Sequence, residues 1–157
     1  MGKEWKLVTF LGIIIAILLT VFFLLSSQKI EVGKICFEKL ALSATKCFAV
    51  EIAETEAQKH QGLMYRTNLD KHMGMLFIFD QEANYPFWMK NTLISLDIIW
   101  INKNKEIVFI AENTEPCRTE ECSQINPNIA ASYVLELNGG IAKEIGLKVG
   151  DTAQIGY

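Results

Sequence analysis

Residues Leu7 to Leu25 form an unbroken run without charge or proline, and this run limits the chain more than any other feature. Its only members outside the hydrophobic set are Thr9, Gly12 and Thr20. Nineteen residues rising about 1.5 Å each make a helix of roughly 28 Å, which matches the hydrocarbon core of a bilayer. A helix buried in a water-soluble core keeps one polar face, and this segment is apolar all round. It is therefore expected to be a transmembrane helix. A cleaved signal peptide has a shorter apolar core and a small-residue cleavage site. Here Leu25-Ser26-Ser27-Gln28 offers no clean A-x-A pattern and no cysteine to take a lipid, so an uncleaved anchor is expected. Lys3, Lys6 and the amino terminus precede the run, while Lys29 and Lys34 follow at greater distance. That bias, though slight, places the N-terminus in the cytoplasm. The expected layout is a cytoplasmic N-terminus (1–6), an anchor (7–25), a linker (26–34) and one extracytoplasmic globular domain (35–157).

Beyond residue 28 the chain carries 13 Lys+Arg (15 less Lys3 and Lys6) against 17 Asp+Glu (18 less Glu4), a net charge of −4. Nucleic-acid binding needs a basic surface, so no nucleic-acid partner is expected. Four cysteines, Cys36, Cys47, Cys117 and Cys122, suit disulfides outside the cytoplasm. They allow three connectivities. Cys36–Cys47 would staple neighbouring strands, and Cys117–Cys122 would close a short loop. Their spacing, with no histidine beside it, is not a zinc pattern.

No internal repeat or low-complexity tract interrupts the rest. Ile35–Phe37 and Cys47–Ala53 read as a strand pair, the second alternating Phe48, Val50 and Ile52 with Ala49, Glu51 and Ala53. Thr55-Glu56-Ala57-Gln58 has the form of a capping box, and the helix it opens should end near Gly62. Leu76–Phe79 reads as a strand and Pro86–Met89 as an extended piece. Leu93–Ile101 is apolar on both faces, as a central strand would be. The polar turn Asn102–Lys105 returns it to a partner over Glu106–Ala111. After a polar loop over Glu112–Asn128, Tyr133–Leu137 is a further strand. Asn138 is placed to cap a helix over Gly139–Glu144 that Gly146 ends. Gly150-Asp151 turns into a last strand, Thr152–Ile155. About seven short strands and two short helices predict an α+β fold, a curled antiparallel sheet or barrel.

Several strings stand in a distinctive order. Gln61-Gly62-Leu63-Met64-Tyr65-Arg66 comes first, then Gly74-Met75-Leu76-Phe77-Ile78-Phe79. Phe87-Trp88-Met89-Lys90-Asn91-Thr92 follows, with Asp97 five residues after the threonine. Tyr133–Leu137 and Gly146–Asp151 close the series. Over residues 46 to 157 the chain closely resembles the family catalogued as domain of unknown function 192. The resemblance implies a compact, β-rich single domain, often exported or membrane-tethered, and brings no established reaction, substrate or cofactor. The Pro-Cys-x4-Cys loop at Pro116–Cys122 also looks like the family's pattern, whereas Cys36 and Met73 have no counterpart in it.

Asp97 is the most informative single residue. A carboxylate in the middle of an apolar strand needs a cation or several hydrogen-bond donors. Either it meets Arg66 and Lys90 in a polar pocket, or it is an internal, register-fixing carboxylate. Trp88, Lys90, Asn91 and Thr92 combine an aromatic plane, a cation, an amide and a hydroxyl, a mixture suited to a sugar or peptide groove. Ordinary packing of Phe87 and Met89, with a turn at Asn91-Thr92, explains the same string. Met64, Met73, Met75 and Met89 include an M-x-M pair of the kind that soft copper sites use, and core filling explains them as well. His60 and His72 lie in polar stretches. No phosphate loop or paired acid/base motif appears, and no cofactor or metal is expected. The sequence therefore points to an extracytoplasmic binding or accessory module for a small envelope ligand, a glycan or a protein. A hydrolase using Asp97, or a structural partner of another membrane protein, are the alternatives.

Overall fold

The computed structural model describes residues 9–10, 12–20, 31–38 and 45–157. The chain divides into two units, Met1–Ile30 and Glu31–Tyr157. In the first unit the described residues are helical. The expected anchor over 7–25 includes residues 7, 8, 11 and 21–25, which lie outside the described residues, as do residues 26–30 of the expected linker. Among the described residues no helix is long and apolar enough to cross a membrane.

The second unit contains β1 (Val32–Phe37), β2 (Lys46–Ala53), β3 (Met73–Ala83), β4 (Leu96–Ile101), β5 (Ile107–Thr114), β6 (Ala131–Asn138) and β7 (Ala153–Gly156). Two short helices, α1 (Glu56–Gln61) and α2 (Ile141–Ile145), complete it. The strands form one sheet in the order β5-β4-β6-β3-β2-β1-β7. The expected antiparallel sheet is corrected at one joint, because β2 and β3 run parallel while every other neighbouring pair is antiparallel. Parallel neighbours need a long crossover, and the segment holding α1 and the turns after it supplies one. The sheet curls until its edges touch at one end. There Glu106 bridges Thr152, the Ile107 N–H donates to the Asp151 carbonyl at 2.9 Å, and the Ala153 N–H donates to Lys105 at 2.8 Å.

Curling gives the sheet two buried faces. The inner face gathers Ile35, Val50, Leu76, Ile99 and Leu135 around the barrel axis. The outer face carries Met75, Phe77, Ile98, Trp100 and Val134 under the segments that follow α1 and β3. All six residues of β4 are buried. Both faces of the expected central strand are therefore covered, although it begins at Leu96 rather than Leu93.

The capping box forms as its sequence requires. The Gln58 N–H donates to Thr55 Oγ1 and the Thr55 N–H to Gln58 Oε1. Gly62 ends α1 at φ +47°, a conformation side-chain-bearing residues rarely adopt. The second helix departs from expectation. It starts at Ile141 behind Gly140, which has no side chain to cap it. Asn138, the expected cap, instead donates its amide to the Leu69 and Asp70 carbonyls, each at 3.1 Å. Two N–H groups at the start of α2 are satisfied from β4. The Gly140 N–H donates to Asp97 Oδ1 at 2.9 Å, and the Ala142 N–H donates to Asp97 Oδ2 at 2.6 Å. The Asn113 N–H, at a register shift between β4 and β5, donates to Oδ1 at 2.7 Å.

Both cysteine pairs are joined, Cys36–Cys47 across β1 and β2 and Cys117–Cys122 within the loop after β5. Asp97→Ala would leave three backbone N–H groups without their acceptor, so it is expected to cost about 3–5 kcal/mol in denaturant unfolding. Asp97→Asn keeps one carbonyl oxygen and should cost less. A loss below about 1 kcal/mol for the alanine variant would contradict the tying role given to this carboxylate.

Candidate functional site

Strand register brings two glutamates onto the outer face. Glu51 of β2 stands opposite Met75 of β3, Met75 opposite Glu136 of β6, and Glu136 opposite Ile98 of β4. Side chains directly opposite share a face, so the two carboxylates lie in one row with a methionine between. Arg66, from the turn after α1, meets Glu51 in a fork, each guanidinium nitrogen on one carboxylate oxygen. Bidentate pairing of this kind is the strongest geometry an arginine offers a carboxylate.

Glu136 has no such arrangement. It is 5% exposed, and its Oε2 has no hydrogen-bond partner among the described residues. Burial pushes its carboxyl up to about 8, against the downward pull of the Arg66 charge. An ionised group there is poorly solvated, so the folded protein favours the protonated form near neutrality.

Glu136 lines a cavity of about 160 Å³. Phe77 of β3 lies beside it, and Leu63, Met64 and Thr92 form further wall. Lys59 and His60 of α1 line it too, as do Phe79 and Tyr85–Trp88. The segment after β3 is fastened at several points. The Trp100 indole N–H donates to the Tyr85 carbonyl at 2.8 Å, satisfying a fully buried ring. Phe87 bridges Ile125 and packs edge-on against Phe77 and Trp100, at 4.9 and 5.6 Å between ring centres. Met89 is buried. Trp88, between these two inward residues, is turned out and remains 36% exposed. Asn91 takes φ +57° and accepts the Tyr65 N–H on its carbonyl at 2.8 Å, while Tyr65 takes φ +63°. Two side-chain-bearing residues in left-handed conformations thus meet beside the cavity, a concentration typical of binding sites.

The structure brings some of the sequence-predicted residues together and separates others. Trp88 and Thr92 line the cavity. Lys90 lies with its ammonium 5.3 Å from the Trp88 ring centre, and the Asn91 amide lies 3.9 Å from the Met64 sulfur. Arg66 pairs with Glu51, not with Asp97. Asp97 alternates with Leu96 and Ile98 of the outer face, so it points to the inner one, where backbone N–H groups occupy its oxygens. A pocket uniting Arg66, Lys90 and Asp97 is therefore not formed. Met75 and Met89 pack in the outer core, and the described residues hold no cluster of three His, Cys, Asp or Glu fit for a metal ion. Glu136 was missed because a glutamate in an alternating strand passes for a solvent-facing residue. Its signal was its place in a strand flanked by neighbours apolar on both faces.

A domain built as a curled sheet with a loop-covered outer face defines a class that the family comparison makes specific. The chain belongs to the DUF192 family, described as "Uncharacterized ACR", whose model matches residues 39–155. It is similar to a crystal structure from Sinorhizobium meliloti described as a candidate transcription regulator. That likeness is 34% identical, with a TM-score of 0.74, and covers 80% of this chain and 95% of that one. A protein of unknown function from Novosphingobium aromaticivorans is 31% identical, with a TM-score of 0.73, over 82% of this chain and 89% of that one. A comparison with curated proteins gives no match.

The Glu136 carboxyl has a pH signature. Unfolded, it ionises near 4.5; folded, it keeps its proton to about 8. Between those values the folded state holds the extra proton, so stability falls as pH rises from 4.5 to 8 and levels above that. The slope approaches about 1.4 kcal/mol per pH unit at most. Chemical unfolding across this range should show a decline in the wild type that is largely gone in Glu136→Gln. Parallel curves for the two proteins would refute the buried-acid description.

Proposed function

We propose that the protein is a membrane-anchored extracytoplasmic binding module that holds a small ligand in the cavity above Glu136. The observation that carries this reading is the buried Glu136 carboxyl, whose Oε2 has no partner among the described residues, lining a cavity whose other walls are mostly apolar and aromatic. Small-molecule sites combine apolar walls with a few placed polar groups in this way. Trp88 and Thr92 would contact the ligand, with Lys90 and Asn91 beside them and Arg66 holding Glu51 beneath. Asp97 would act at a distance, by tying the frame.

The address rests on separate support. The Leu7–Leu25 run is long enough to span a bilayer, and its described residues expose Phe10, Ile13, Leu18 and Leu19, which lipid would cover. Two disulfides suit an oxidising compartment. The transcription-regulator description of the Sinorhizobium relative is not extended to this chain, whose net charge of −3 gives little attraction for phosphates. One observation favours a catalytic variant of the proposal. A carboxyl that holds its proton to about 8 beside a cavity is suited to general acid work. In that variant Glu136, not Asp97, would be the acid.

Fragment-sized organic molecules presented to the full-length protein in detergent should bind saturably and shift the Trp88 and Thr92 resonances. Trp88→Ala should weaken them about tenfold. Shifts scattered over the surface, with none at the cavity, would remove the binding site. For the address, the intact chain should pellet with membranes and a C-terminal accessibility tag should report the outside. A chain left in the supernatant, or a tag reporting the cytosol, would refute the membrane assignment.

A further inference from the structure

We infer that the ligand of this cavity presents an organic ammonium group, which sits against the aromatic wall and pairs with the Glu136 carboxylate. The inference rests on the binding reading above and names the chemistry of its ligand.

Charge balance is the first argument. Arg66 is matched by Glu51 in a complete fork, so when the Glu136 carboxyl ionises it has no cation of its own in the buried row. Glu136 is the unmatched member, and its Oε2 has no partner among the described residues. A positive ligand group would favour the ionised carboxyl and pair with it, whereas an anionic one would oppose its ionisation.

The walls are the second argument. Phe77, Phe79, Tyr85, Phe87 and Trp88 all line the cavity. Aromatic faces attract ammonium groups through their quadrupoles, and aromatic cages are a recurrent means of holding alkylated ammonium ions. The protein's own ammonium groups already use this property at the same place. Lys59 Nζ lies 4.9 Å from the Phe79 ring centre, and Lys90 Nζ lies 5.3 Å from that of Trp88. Lys59 also pairs with Glu56 at 3.3 Å, which leaves the carboxylate of Glu136 to the ligand.

Size is the third. A cavity near 160 Å³ takes a group about as large as benzene. A trimethylammonium head or a short alkylammonium chain is of that scale.

The test compares cations with a neutral copy of the same shape. Tetramethylammonium, choline and n-butylammonium are titrated into the full-length protein in a non-ionic detergent, alongside 3,3-dimethylbutanol, the uncharged analogue of choline. The titrations are run at pH ~9, above the value to which burial raises Glu136. Choline should bind about tenfold or more tightly than the neutral analogue. In Glu136→Gln choline should bind no more tightly than the neutral analogue. Equal affinity of choline and its neutral analogue for the wild type would overturn the ammonium assignment and leave the cavity as a binding site. Failure of all three cations to bind would also overturn it, and the fragment shifts at Trp88 and Thr92 would then decide separately whether the cavity binds anything.

Discussion

The Asp97 carboxylate is the interaction on which this architecture turns. Two oxygens gather three N–H groups from two places distant in sequence: Asn113 at the β4–β5 shift, and Gly140 and Ala142 at the start of α2. Each donor would otherwise be an unsatisfied group near the core, and each such group costs about 1–3 kcal/mol. One side chain thus caps a helix, fixes a bulge and anchors the middle of β4. The close approach continues at Gly139, whose N–H donates to the Ser95 carbonyl at 2.9 Å. A Cβ there would stand 2.5 Å from Asn113 Oδ1 and 3.0 Å from Ser95 Cβ, so a larger residue would force both neighbours to shift.

That knot lies on the inner face, and the candidate site lies on the outer one. β6 links them, because Leu137 stands opposite Asp97 while its neighbour Glu136 stands opposite Ile98. Alternation across the β4–β6 pair therefore puts the Asp97 tie on one side and Glu136, whose Oε2 has no partner among the described residues, on the other. A rigid central strand pair is what a small cavity needs, since its polar group must stay placed without a partner to hold it. The outer segments are fixed to this pair by Trp100 and Phe87, which leaves Trp88 turned outward at the cavity.

Much of the frame was legible in the residues themselves. The capping box at Thr55 and Gln58 and the hairpin around Asn102–Lys105 are local patterns, and local patterns survive folding. The parallel β2–β3 joint was not legible, because strand pairing across a crossover leaves no periodic trace. Asn138 illustrates a tertiary override. It has the chemistry of a helix cap, but the Leu69 and Asp70 carbonyls claim its amide and a distant aspartate takes over the capping. Of the two expectations for Asp97, the pocket with Arg66 and Lys90 failed on parity and the internal, backbone-bonded carboxylate held. Knowing that Asp97 lies in a strand does not say which face it takes until the neighbouring Leu96 and Ile98 are known to pack outward.

The same parity explains why Glu136 carries more meaning than its neighbours. A leucine at this position would pack between Met75 and Ile98 and add apolar contact to the outer core. The glutamate instead brings a group that folding must desolvate, and burial is the dominant force on its proton. Arg66 does not remedy this, because Glu51 already fills its fork. A wholly structural role would call for a second cation or further donors to Oε2, and the described residues supply neither. Holding a proton offsets part of the cost, and a group that enters from the cavity would offset the cost of the ionised form. That makes the proposed ligand part of the electrostatic balance of the outer face rather than an addition to a finished one.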